Sequence, residues 1–467
     1  MEKATNFAEW YLEAIDNAGL VDRRYPVKGM YVWTPYGRKA MRLLNGHMHE
    51  EMVRTGHDEV QFPVLVPETQ FQKEADHIKG FGANVYWVTH GGLNPLDVRL
   101  LLRPTSESAM YSLFSLWVRA HTDLPLKLYQ IVPVFRYETK QTRTFLRVRE
   151  LSFFFESHTA HEDFEGSEGQ IRENLEIWKR LARKYAMPAL LAKRPDWDKF
   201  AGAYYTVAAD AYVAETGRAL QVAGIHQYRD NFARVYDVTF EDEKGEPRFA
   251  HQTTYGMSER ILGAVVALHG DDRGLVLPPK IAPIQVVIIP ILAKGAKRRI
   301  VAAAKALEAE IADAVRMELD LRDMRPGAKF YEWERRGVPL RVELGMDEIE
   351  GDHITLVRRD GTRRRKANRG DALKHIQATL DRIQRDLYRK AEEELRDGIH
   401  TIEAYGDTPP KGIIRTGWCG KESCGLAMEE KLDRGLLGTP YEPEEFEGRC
   451  LECGDETSTV AYAANSY

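Results

Sequence analysis

Residues Val134–His161 read VFRYETKQTRTFLRVRELSFFFESHTAH. An apolar run ends in Arg136-x-Glu138, a polar stretch Thr139–Leu146 follows, and a second apolar run returns behind Arg147, Arg149 and Glu150. The pattern predicts two antiparallel strands joined by a loop, with guanidinium groups and carboxylates gathered on one hairpin. Arg136 carries a planar fork able to hold an oxyanion through two hydrogen bonds, and Glu138 can accept from an exocyclic amine. Taken alone, the segment reads first as cross-strand salt bridges on a solvated sheet face.

Outward from this hairpin, short apolar runs recur at Val60–Val66, Leu128–Phe135, Ser152–Phe155 and Val235–Phe240, divided by Gly, Pro and charged clusters, after a helix-like opening NFAEWYLEAI. Strands that arrive in runs, without strict alternation with helices, favour an antiparallel sheet and an α+β domain over residues 1–282. A proline-rich hinge, Leu277–Pro283 (LPPKIAP), then changes the pattern. Beyond it come a strand Gln285–Ile289 and a helix with apolar Ile300, Ala304, Leu307, Ile311 and Val315. A strand Glu318–Leu321, a helical KFYEWERRG stretch, strands Leu340–Leu344 and His353–Val357, and a long charged helix Asp371–Leu395 complete an α/β domain at 283–400. The remainder, 401–467, is Gly-, Pro- and Glu-rich and too poor in apolar residues for a large core of its own.

The 467 residues are 43% hydrophobic and 29% charged, with a formal charge of −5, the balance of an ordinary soluble protein and not of a disordered, collagenous or membrane chain. The apolar run inside Ile284–Leu292 is far short of a spanning helix, and Met1–Phe7 has no basic-then-apolar leader, so a cytoplasmic location is expected. Arg358–Lys374 holds eight Lys/Arg against two Asp, net +6. Such a stretch is either a solvated face or a phosphate-backbone contact.

All four cysteines fall in one region, spaced Cys419-x4-Cys424 and Cys450-x2-Cys453 and flanked by glycines (WCGKESCG, CLECG). Two close thiolate pairs suit tetrahedral Zn(II), and four protein ligands leave no open position, so a structural metal is expected. A third constellation is Gly256-x-x-Glu259-Arg260 between a strand and an apolar helix Ile261–Ala267. An Arg at such a junction can meet a polyphosphate, or it can be a plain solvated helix start.

In combination and order these segments resemble class II aminoacyl-tRNA synthetases. Gly37–Pro67, a long helix running into a strand that ends at Pro63, is similar to their motif 1; Phe135-Arg136-x-Glu138 with its loop and Arg147 to motif 2; Gly256-x-x-x-Arg260 to motif 3. Arg103-Pro104-Thr105-Ser106-Glu107, Ser157–His161, Lys199–Ala203 and HQTTYGMSERILGAVVALHGDDRGLVLPP resemble the prolyl-tRNA synthetases, most closely their archaeal and eukaryotic branch. The resemblance covers essentially the whole chain. It implies a class II antiparallel-sheet catalytic domain, an anticodon-binding domain, a zinc-bearing C-terminal domain, and ligation of proline to tRNA(Pro) through prolyl-adenylate, with ATP, Mg(II) and structural Zn(II).

Residue by residue, the resemblance implies that Arg136 holds the proline carboxylate and the α-phosphate while Arg260 clamps the far end of a bent ATP. Glu138 reads the adenine amine, with Arg147 also in the nucleotide site. Thr105 and Glu107 take the secondary ammonium; Glu156, His158 and Thr253 belong to the same pocket, and Phe154 and Phe200 wall the pyrrolidine ring. Singly, those two are ordinary core aromatics and His158 an ordinary hydrogen-bonded histidine. Either Leu151 or Phe153 covers the base. Gly224–Phe232 departs from the family's Gly-Gln-Asn-Phe pattern, which leaves Gln221 and His226 as candidates for ribose and adenine. Glu334 and Arg341 are the implied anticodon readers, Pro63 lies at an implied homodimer interface, and the terminal Tyr467 is expected to pack on the first domain. Between Glu150 and His251 there is no room for an inserted hydrolytic domain, so alanine and cysteine are expected as side substrates. Two rival readings are a silent tRNA-binding relative and a synthetase for threonine or histidine. The first is disfavoured because Arg136, Glu138, Arg147 and Arg260 all stand, the second by the two-phenylalanine pocket with Thr105 and Glu107.

Overall fold

The Val134–His161 hairpin lies inside a large sheet. Strand Leu126–Phe135 runs antiparallel to strand Glu150–His161, and strands His251–Met257, Arg218–Arg229, Tyr205–Val213 and Leu190–Lys193 follow in order, each antiparallel to the last. Asp58–Glu59 adds a short parallel edge beside Leu126–Phe135. The computed structural model describes residues 2–73, 84–361, 364–406 and 408–467. The architecture is α+β.

Side chains alternate between faces along each strand. Phe155, Tyr255, Ile225 and Val207 point back into the main core, covered by helices Phe164–Tyr185 and Arg260–His269. Asp163 starts the first of these, its Oδ1 accepting from the Gly166 N–H at 2.8 Å. Thr34 caps helix Pro35–Arg54 in the same way, with Pro35 at the first turn, where no donor is needed. The opposite face carries the polar residues Glu156, His158, Thr254, His226 and Thr206. Registers His158↔Thr254, Thr254↔His226 and His226↔Thr206 align them in a row across the strands.

The second body is a five-stranded mixed sheet, in order Met317–Leu319, Val286–Pro290, Leu340–Leu344, His353–Arg358, Arg364–Asn368, with parallel pairing among the first three. Its core joins Ile288, Val342 and Leu356 to Ala304, Leu307 and Ile311 of helix Lys297–Ile311, on which Ile300 is also buried. That helix is shorter than its pattern: Val315 is buried but lies beyond the helix, in the turn before Met317–Leu319. Arg364 and Arg365 of the basic stretch stand on the edge strand, while Thr362 and Arg363 lie outside the described residues.

Two expectations change. The strand expected to end at Pro63 is only Asp58–Glu59. Past it, side chains replace the ladder: Phe62 N–H donates to Gln130 Oε1 at 2.9 Å, and the buried Arg103 guanidinium donates to the carbonyls of Phe62 at 2.7 Å and Pro63 at 3.2 Å. Proline has no N–H with which to continue a strand. The cysteine-bearing segment, expected as a small C-terminal domain without a large core of its own, keeps a small core around Ile414, Met428 and Leu436 and also joins the large sheet. Gly435–Pro440 pairs with Leu190–Lys193, and Val460–Ala464, Ile413–Gly417 and Ile399–Thr401 extend the order to eleven strands. A segment poor in apolar residues gains burial by adding to an existing edge. The chain end packs as expected, with Ala219 N–H donating to Asn465 O at 2.9 Å and Tyr467 N–H donating to Ala219 O at 3.2 Å.

At this junction Gly438 has φ +108°, and a Cβ there would stand 1.9 Å from the Lys193 carbonyl oxygen. Gly438→Ala should therefore lower stability by about 2 kcal/mol or more, whereas Gly435→Ala, in open space, should change it by less than about 0.5 kcal/mol. Chemical denaturation of the full chain measures both.

Candidate active site

The polar face of the sheet opens into a cavity of about 290 Å³. At one end two carboxylates are held by short local donors. Glu156 accepts from Ser106 N–H at 3.1 Å and from the Ser106 hydroxyl, and Glu107 accepts from Tyr228 OH at 2.9 Å; the single Thr105 hydroxyl proton lies within reach of both carboxylates, with Oγ1 3.0 Å from Glu156 Oε1. Helix Glu107–Trp117 begins here, which brings Thr105–Glu107 to the strand. Both carboxylates are buried, and desolvation raises the Glu156 pKa. Phe154 and Phe200 line the same end; Phe200 lies 4.7 Å from the His226 ring, and burial pushes His226 down to about 4, so it is neutral near pH 7.

Arg136 stands between the two ends of the cavity, its Nε donating to Pro104 O at 3.2 Å and its guanidinium 5.3 Å from the centre of the Phe154 ring. Arg260 closes the other end, donating to Leu146 O and Gln221 O, each at 3.2 Å. Burial first, then repulsion from Arg136 and Arg147, lowers Arg260 to about 10, still a full cation at neutral pH. Gln221 flanks Arg260 through its carbonyl, and Leu151 and Gly256 also line the cavity. The cavity thus offers carboxylates for a cation at one end, guanidinium groups for oxyanions at the other, and aromatic walls for a small apolar ring.

Most of the expected residues converge here, though not all of them line the space. Glu138 and Arg147 sit at the hairpin mouth outside the lining, close enough for their charges to act on Arg260. His158 is a layer deeper: Nδ1 is 3.0 Å from Tyr111 OH and 3.3 Å from Thr254 Oγ1, and Nε2 is 3.9 Å from Glu156 Oε1. The Thr253 side chain points the other way, 2.7 Å from Thr159 Oγ1, because strand alternation presents Thr254 to the cavity instead. Of the two candidates beside the base, Leu151 lines the cavity, whereas Phe153 packs 5.1 Å from Trp33 under the Arg38 guanidinium. Sequence reasoning missed Thr254, which period-two alternation from Gly256 would have found. It also missed Arg194, whose buried bidentate pair with Asp210 at 2.8 Å has no local signature.

On the second body, Arg341 donates to Glu334 Oε1 at 2.9 Å and to Glu343 Oε1 at 3.0 Å, with its guanidinium 4.0 Å from the centre of the Phe330 ring. Pro63 borders an apolar groove with Phe62, Leu65 and Trp117; Leu65 is 43% and Trp117 45% exposed. The four cysteine sulfurs lie within 4.8 Å of one another, with Cys419 and Cys453 at 3.8 Å. Ligands about 2.3 Å from a tetrahedral zinc would be about 3.8 Å apart, so the set fits that ion. Gly420 and Gly454, both at positive φ, make the turns that aim the sulfurs inward.

No described helix is long and apolar enough to cross a membrane. Residues 86–269 match the tRNA synthetase class II core domain (G, H, P, S and T), residues 285–379 an anticodon binding domain, and residues 408–467 the prolyl-tRNA synthetase C-terminal domain. The chain is 52% identical over 472 residues to a proline–tRNA ligase of Thermococcus kodakarensis, covering 99% of this chain and 98% of that one. It is 51% identical to a Pyrococcus horikoshii counterpart over the same shares, and 46% identical to one from Methanosarcina mazei over 99% and 97%. With the cation end, the anion end and the paired Glu334–Arg341 edge in place, and likeness running end to end, the chain belongs to the proline–tRNA ligase family of class II aminoacyl-tRNA synthetases.

Proposed function

We propose that the chain joins L-proline to tRNA(Pro) in two steps. The proline carboxylate attacks the α-phosphorus of ATP, forming prolyl-adenylate and expelling diphosphate; a terminal hydroxyl of the tRNA then attacks the acyl carbon and AMP leaves. The observation that carries this reading is the polarity of the cavity, with Glu107 and Glu156 at one end, Arg260 at the other and Arg136 between them. Thr105 and Glu107 take the ring ammonium, Phe154 and Phe200 flank the ring, and Glu156 and His158 brace them from behind, with Thr254 in place of the Thr253 side chain. Arg136 neutralises charge between carboxylate and α-phosphate as it builds up, and Arg260 holds the distal phosphates. Glu138, Arg147, Leu151 and Gln221 form the nucleotide side. Mg(II), carried with ATP, supplies further charge neutralisation on the phosphates; the one cluster of metal-ligating groups among the described residues is the cysteine set, read as structural Zn(II).

The reading extends to a catalytic domain at 1–282, an anticodon domain at 283–400 and a zinc domain at 401–467, working in the cytoplasm as a homodimer through the groove around Pro63. The stretch between Glu150 and His251 is taken up by strands and helices of the sheet and its cover, consistent with the absence of an inserted hydrolytic domain. A missing methylene costs a ring pocket only about 1–3 kcal/mol of discrimination, so alanine and cysteine enter as side substrates.

Amino-acid-dependent pyrophosphate exchange tests the core of this: proline should support it best, alanine and cysteine measurably, threonine and histidine not at all. Arg136→Ala should cost about 3 kcal/mol or more of transition-state stabilisation, roughly a hundredfold or greater loss of exchange, with the fold intact by circular dichroism. Near-normal exchange in that variant would defeat the assignment.

The guanines of a proline anticodon suit a carboxylate accepting from N1/N2 and an arginine donating to O6/N7, the groups that Glu334 and Arg341 present together. Arg341→Ala should raise KM for tRNA and leave tRNA-independent exchange unchanged; Glu343, which loses one partner, keeps Arg364 at 2.8 Å. Equal loss in both assays would count against an anticodon role.

One zinc per chain should appear in elemental analysis of purified protein. Cys450→Ser should lower both zinc content and thermal stability while exchange, measured below the new midpoint, stays near wild type. A metal-free wild type would overturn the zinc reading.

A further inference from the structure

Between strands Leu126–Phe135 and Glu150–His161 the register slips, Val132 facing Phe154 but Val134 facing Leu151. Two residues, Ser152 and Phe153, therefore oppose the single Pro133, which has no N–H to offer. This bulge decides which side chain meets the cavity. In unbroken alternation Ser152 would follow Phe154 on the polar face; with the extra residue Leu151 does, while Phe153 keeps to the face of Phe155, against Trp33 and Arg38.

On its other edge the strand loses its neighbour at the same place. Pairing with His251–Met257 ends at Met257↔Phe155, where the chain turns into helix Arg260–His269. The amides of Ser152 and Phe153 would be left without acceptors, a costly state for buried backbone. The Glu259 carboxylate fills both positions: Oε1 accepts from Ser152 N–H at 3.3 Å and from Tyr31 OH at 3.1 Å, and Oε2 accepts from Phe153 N–H at 3.1 Å. Glu259 is wholly buried, does not line the cavity, and immediately precedes Arg260.

We infer that Glu259 is a positioning residue for the nucleotide half of the site. Its carboxylate stands in for the missing strand, holds the Ser152–Phe153 bulge, and so fixes Leu151 opposite Arg260. This rests on the reading of Leu151 and Arg260 as the nucleotide side of the cavity. The proline half lies on Thr105–Glu107 and on strand positions beyond the bulge, so the two substrates should respond differently.

The test is pyrophosphate exchange by the full-length enzyme, with ATP and proline each varied against saturation of the other. Glu259→Ala should raise KM for ATP about tenfold or more and KM for proline less than about twofold, and Glu259→Gln, which keeps one acceptor oxygen and the shape, should fall between wild type and Ala. Leu151→Ala, made alongside, should also raise KM for ATP. If Leu151→Ala does so while Glu259→Gln and Glu259→Ala match wild type, or if the Glu259 variants raise both KM values together, the positioning role is overturned. If Leu151→Ala leaves KM for ATP untouched, the nucleotide-side reading fails and the inference with it. Should Glu259→Ala not fold, the Gln variant decides alone, since an unchanged KM for ATP in it refutes the role.

Discussion

The pairing of strand His251–Met257 with Phe155–His161, held in one register over seven residues, is the constraint on which the rest of the site depends. It brings together segments about a hundred residues apart in the chain and sets Glu156 beside Gly256 and His158 beside Thr254. A slip of one residue would invert one strand against the other, sending Glu156 and His158 into the apolar core and bringing Phe155 to the cavity, or doing the same with Thr254 and Tyr255. The cost of such a slip is burial of unpartnered carboxylates and exposure of large aromatic rings, so the hydrophobic cover of the back face enforces the chemistry of the front.

The electrostatics follow from that enforced burial. A buried carboxylate needs donors, and Glu156 and Glu107 find them in Thr105, Ser106 and Tyr228, all neutral. These donors steady the negative charge without cancelling it, which leaves it able to attract a cation. The opposite holds at the far end, where burial first, and then the charges of Arg136 and Arg147, lower the Arg260 pKa. An anion entering beside these guanidinium groups would relieve repulsion already present in the folded state.

Strand irregularities refine what regular alternation would provide. The Ser152–Phe153 bulge turns Leu151 inward, and a second shift, between Ala209↔Ala223 and Asp210↔Gln221, brings Gln221 to the same end of the cavity. Leu151 and Gln221 both line the cavity away from the carboxylate end. The carboxylate end is built from unbroken alternation and one helix start. Bulges of this kind re-aim single side chains without disturbing the strands around them.

Sequence alone determined the elements: an antiparallel hairpin at Val134–His161, a switch to α/β pattern after the proline hinge, and a four-cysteine metal set, because each is written in local periodicity or spacing. The ordered motifs also named Arg136, Arg260, Thr105, Glu107, Phe154 and Phe200, all of which line one cavity. Tertiary structure decided what depends on register and on pairing between distant strands. It chose Thr254 over the Thr253 side chain and Leu151 over Phe153, placed His158 behind the pocket, and supplied the buried Arg194–Asp210 pair. It also merged the cysteine-bearing segment into the large sheet through Gly435–Pro440. Apart from Thr254, which alternation from Gly256 marks, none of these is legible locally, because the face a strand residue occupies is set by the neighbours it pairs with, and a single bulge reverses it without changing any nearby residue type.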